Sequence, residues 1–138
     1  MPNIGWLAGH GYNVITVAIP TRHHSATQGW LRGNFLPVVW ENLADPILTG
    51  REELGWAKIY ADIPESVVVG DRWRAQALWK GFRFLDLEAF AFAPAAEPAP
   101  PPAGQFHFKH VPRTGALGES DVQYLEYAPP GKPVAGYA

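Results

Sequence analysis

The chain has 138 residues, 47% hydrophobic and 17% charged, with a net charge of −2 and no cysteine. That length suits one domain, which buries roughly 68–70% of the surface its unfolded chain exposes. The composition excludes disorder of the whole chain, a basic field for nucleic acid, disulfides and thiolate metal sites. No apolar run approaches the ~20 residues of a membrane span, and residues 1–20 lack the basic and apolar regions of a signal peptide, so a cytoplasmic protein is expected.

Residues 12–19 (YNVITVAI) predict the first strand, β-branched and closed by Pro20-Thr21. Its Ile15, Val17 and Ile19 form an apolar face expected to meet the core. Residues 21–33 are polar and Gly-punctuated, and read as a loop or hairpin connection. Residues 34–41 (NFLPVVWE) predict a second strand, which Pro37 makes an edge strand or a bulge. Thr49 and Glu52 fit a capping box for one helical turn over 50–54, with Gly55 as its stop. Residues 56–62 predict a strand and 66–69 a short apolar one. Residues 72–92 alternate Trp, Ala, Phe and Leu in two runs, with Gly81 a turn or bulge between them. The Pro-rich stretch 93–104 is expected to be an exposed extended loop. Strands over 106–111 and 122–127 complete a mainly β domain with little helix and mostly antiparallel pairing.

Lys58 is one of four lysines and has the most apolar neighbours of any, between Trp56-Ala57 and Ile59-Tyr60. Burial strips water from an ammonium and favours the free amine, a nucleophile toward carbonyl carbon. The imine formed is an electron sink for breaking an adjacent C–C bond. The plainer alternative is a lysine that snorkels over an aromatic surface. His107 and His110 lie three apart in a predicted strand and so face opposite sides, unable to share an ion without a bulge. The histidines are read as surface and loop residues, and no metal or other cofactor is expected.

The run GREELGWAKIYADI, preceded by DPIL, resembles the acetoacetate decarboxylase family and its wider superfamily. In that family a Gly-Arg-Glu opening precedes a Pro-Lys whose lysine forms the Schiff base. Gly50, Arg51, Glu52 and Lys58 fit, and Ala57 stands at the proline. The upstream GYNVITVAIP and the downstream FHFKHVPRTG and DVQYLEYAP also look like strands of superfamily members. The family's decarboxylases carry a second lysine and a glutamate where this chain has Ile59 and Val14.

The resemblance implies a curved antiparallel sheet closing into a barrel-like pocket that receives Lys58. It implies Schiff-base chemistry on a small keto acid, either decarboxylation or aldol condensation with dehydration. Lys58 would be the nucleophile, with Glu52, Glu53 or Tyr60 as the base, and Arg51, Tyr60 and Trp56 would contact substrate. The other reading is a non-catalytic β-scaffold that binds a small apolar or carbonyl ligand. Relatives are longer, so a single domain over 1–138 is expected to lack family segments at both ends. Uncovered strand edges then predict a homo-oligomer.

Overall fold

The computed structural model describes residues 11–93 and 103–131. Two sheets and one helix make up this part of the chain. Strands β1 (Val14–Ser25) and β2 (Gly29–Glu41) form a long antiparallel hairpin. Both therefore run through the polar stretch expected as a connection, and only residues 26–28 turn. Polar side chains alternate harmlessly on a hairpin that faces water, so polarity there does not mark a loop.

Pro37 sits in a bulge, as its missing N–H requires: Leu36 and Pro37 together stand opposite Ala18. It does not put β2 at an edge, because β2 is the central strand. The apolar face expected of β1 is buried only at one end. Ile15 packs against the core, whereas Val17 and Ile19 are 42% and 47% exposed.

Helix α1 (Ala44–Glu52) begins earlier than the sequence suggests and contains Thr49, so the Thr49–Glu52 capping box does not form. Asp45 and Pro46 suit its first turn, one by charge and the other by having no N–H to lose. Gly55 ends the segment with φ +67°, a conformation that favours glycine. Strand β3 (Lys58–Tyr60) then returns parallel to β2, the pairing a helical crossover permits.

Strands β4 (Val67–Val69), β5 (Arg72–Trp79) and β6 (Phe82–Ala89) form a separate antiparallel sheet. Lys80 and Gly81, both at positive φ, make the tight turn of its β5–β6 hairpin. An isolated bridge between Asp62 and Leu78 links the two sheets, over a small core of Ala61, Ile63 and Ala77. Residues 94–102 of the expected Pro-rich loop lie outside the described residues, and Gly104 already belongs to β7.

Strand β7 (Gly104–Pro112) pairs parallel with β2 at Gly33–Phe35 and antiparallel with β8 (Ser120–Ala128). Thus β7 and β3 lie end to end along one edge of β2. The sheet is mixed rather than antiparallel. Its order β1-β2-β7-β8 leaves β1 and β8 unjoined, so no barrel closes among the described residues. The parallel pairings are long-range, made after a crossover, and alternation within one strand does not encode them. No helix among the described residues is long and apolar enough to cross a membrane.

Candidate active site

Beyond the bulge, Val39 and Glu41 point to the buried side of β2. In the parallel register Val39 stands opposite Lys58 and Glu41 opposite Tyr60, which makes Glu41 a diagonal neighbour of Lys58. The result is a buried ion pair. Lys58 is 5% exposed and Glu41 1%, and Lys58 Nζ lies 2.8 Å from Glu41 Oε1.

Helix α1 covers the amine. Lys58 Nζ donates to the Pro46 carbonyl at 3.0 Å and sits 4.9 Å from the centre of the Trp56 ring. The Lys58 stem crosses the helix at Gly50, where a Cβ would come within 2.5 Å of both Cδ and Cε. The glycine of the Gly-Arg-Glu motif is therefore the notch through which the lysine reaches its cage.

The Trp56 ring stacks on His107, centroids 4.4 Å apart and 8° from parallel. His107 is 1% exposed, which corrects its assignment to the surface, while His110 on the opposite face is exposed. Burial, reinforced by the charge of Lys58, holds the His107 imidazole down to about 4. It is uncharged at neutral pH. Tyr12 lies close enough to Glu41 to respond to it: desolvation first, then the carboxylate, raises its phenol above the usual range.

The other sequence-derived residues divide between two surfaces. Arg51 and Glu52 are exposed and, with Trp56, Lys109 and His110, line a cleft of about 370 Å³. Arg51 Nη1 donates to the Lys58 carbonyl at 2.9 Å. Lys109 Nζ donates to the carbonyls of Arg51 and Glu52 at 2.7 and 2.6 Å, closing the C-terminus of α1. Glu52 and Glu53 are exposed at that same helix end. Tyr60 is 45% exposed away from that cleft, beside Asn42 and Leu78, where its hydroxyl donates to Asp62 at 2.7 Å. That hydrogen bond keeps the Tyr60 phenol above its ordinary range.

The structure therefore joins Lys58 to Trp56 by contact and to Arg51 through the backbone. Trp56 stands both against the buried amine and in the wall of the cleft. Glu41 and His107 complete the cage; the sequence pattern points to neither, since it marks His107 as a surface residue and does not single out Glu41. For Glu41 the available signal was a carboxylate two residues after Val39 on an apolar strand. Among the described residues no group of three or more His, Asp or Glu side chains is placed to hold a metal ion.

The family model described as acetoacetate decarboxylase matches residues 1–130. The fold is similar to that of acetoacetate decarboxylase from Legionella pneumophila subsp. pneumophila, with a TM-score of 0.66 and 19% identity over 84% of this chain and 45% of that one. It is also similar to the enduracididine biosynthesis enzyme MppR, with a TM-score of 0.59 and 15% identity over 84% of this chain and 43% of the other. A structure of MppR complexed with pyruvate gives a TM-score of 0.55 and 16% identity, over 74% of this chain and 42% of that one. The chain thus spans less than half the length of these structures, and at such identities the likeness shows the fold alone. No curated protein matches the sequence closely enough to count as a relative.

Proposed function

Because this chain belongs to the acetoacetate decarboxylase family, we propose that Lys58 forms an imine with a small keto acid and that the protein is a carbon–carbon lyase. The observation that carries the reading is the burial of Lys58, 5% exposed, at the lysine of the family's motif. An imine withdraws electrons from the neighbouring carbon. A carboxylate there leaves as carbon dioxide, or a proton leaves to give an enamine that condenses with an aldehyde. MppR, similar in fold, has been seen with pyruvate, which makes a 2-keto acid a natural first substrate to try.

One observation favours a second reading, a non-catalytic scaffold that binds a small carbonyl or apolar ligand. The Lys58 amine is already engaged by Glu41 and the Pro46 carbonyl, and Lys58 is not among the residues lining the neighbouring cleft. Trapping separates the two readings. Pyruvate or acetoacetate with borohydride is expected to add one adduct mass, mapped to Lys58 and lost in Lys58→Met. Labelling spread equally over Lys80, Lys109 and Lys132 would mean ordinary surface amine chemistry and would end the Schiff-base proposal.

A further inference from the structure

Three buried side-chain polar atoms among the described residues have no hydrogen-bond partner: Glu41 Oε2 and both ring nitrogens of His107. Buried polar atoms are nearly always satisfied, because each orphan costs about 1–3 kcal/mol. Here all three belong to two side chains around one amine. Glu41 touches Lys58 directly, and Trp56 links Lys58 to His107. This clustering is what a site kept ready for a polar guest looks like, and stability alone gives no reason for it.

We infer that Glu41 carries the proton during imine formation at Lys58, an inference that rests on the Schiff-base reading above. Its Oε1 lies 2.8 Å from Nζ, within the range for direct proton transfer, and its Oε2 is buried with no hydrogen-bond partner of its own. The rival carboxylates Glu52 and Glu53 stand exposed at the end of α1, and the Tyr60 hydroxyl is spent on Asp62. His107, neutral at physiological pH, does not compete for the proton.

In the first step the Lys58 ammonium gives a proton to Glu41, which discharges both groups together, a change that burial favours. The amine lone pair then forms the N–C bond to the substrate carbonyl while the π electrons move to oxygen. One remaining amine proton passes to that oxygen and gives the neutral carbinolamine. Glu41 next returns its proton to the hydroxyl, and the C–O bond breaks with its electron pair leaving on water. The nitrogen lone pair closes the C=N bond. The product is an iminium facing the Glu41 carboxylate, with one water released and the proton count unchanged.

The test is the rate of borohydride trapping of pyruvate at pH 7, read by intact mass, in wild type and in Glu41→Gln. The wild type is expected to gain its adduct at Lys58. Glu41→Gln should form it at least about tenfold more slowly, since an amide neither takes nor returns the proton. A Glu41 that acts only as a counter-ion gives the opposite sign. Its removal frees the amine, trapping runs at the wild-type rate or faster, and the inference is overturned. If wild-type Lys58 takes no adduct, the Schiff-base reading itself fails and the role of Glu41 falls with it. Should Glu41→Gln lose its fold by circular dichroism, Glu41→Asp carries the test. Its carboxylate is drawn back by one methylene, so trapping at least about fivefold slower supports the inference and the wild-type rate overturns it.

Discussion

The β5–β6 hairpin and the layer around Lys58 both carry ion pairs, and they handle them in opposite ways. On the hairpin, Arg72 pairs with Glu88, and Asp86 takes both Arg74 and Arg83. Every one of these side chains is at least a third exposed; the Arg72–Glu88 and Arg74–Asp86 pairs run diagonally across the two strands, and Arg83–Asp86 lies along β6 itself. The Arg74 hydrogen bonds hold the Asp86 carboxyl down to about 2. Around Lys58 a single pair is sealed from water, with a carboxylate oxygen and an imidazole left unmatched beside it. Exposed charges find partners or water at little cost, so the surface ladder carries no information about function. A buried charge has no such freedom. The place where polarity exceeds what folding uses is the place to look for chemistry.

The sharpest way to break this comparison is to remove one partner from each pair. Lys58→Met leaves Glu41 buried without its cation and is expected to cost about 3–5 kcal/mol of stability. Adding Glu41→Leu to the same chain should recover most of that loss, because an apolar pair has no charge to desolvate. Urea unfolding of the three proteins measures both effects. If Lys58→Met costs no more than a surface substitution, the distinction between the two regions is lost.

A smaller effect comes from His107, whose imidazole is held down to about 4 in the folded chain against 6.5 when free. Above pH 6.5 both states are neutral there and stability does not respond to this group. Below it the unfolded chain binds a proton that the folded chain refuses, so stability falls as pH drops from 6.5 to about 4. The loss over that window is about 3 kcal/mol. His107→Phe keeps an aromatic ring on Trp56 and should remove this slope. Urea midpoints at pH 7 and pH 4.5, compared between variant and wild type, decide it, and parallel slopes would mean that His107 is not held neutral.

The smallest effect belongs to the surface. Arg74→Ala is expected to move the melting temperature by no more than about two degrees, and by less in high salt. A drop as large as that of Lys58→Met would mean that the exposed ladder bears as much of the fold as the buried pair does.

How far the sequence could be read follows the same division. The β5–β6 hairpin was legible because its signals are local: two alternating runs and a glycine at the turn. The bulge at Pro37 and the helix stop at Gly55 were legible for the same reason, one residue each with a fixed backbone demand. The capping box misled, since Thr49 lies inside a helix that starts five residues earlier at Ala44 and is held by its neighbours rather than by a cap. The extension of β1 and β2 through the polar stretch was hidden because a hairpin arm that faces water carries the same polar residues as a loop.

By itself the sequence determined that the chain is built of strands, and that Lys58 and Ile59 face opposite ways, buried and 45% exposed respectively. Both follow from the two-residue period of an extended backbone, which needs no partner. Only the tertiary structure decided that β3 and β7 share one edge of β2, that Gly50 makes room for the lysine, and that Glu41 and His107 are buried with it. A charged side chain leaves water only when another segment supplies its counter-charge. Glu41 and Lys58 lie 17 residues apart in the chain, and folding around α1 is what makes the burial of either one possible.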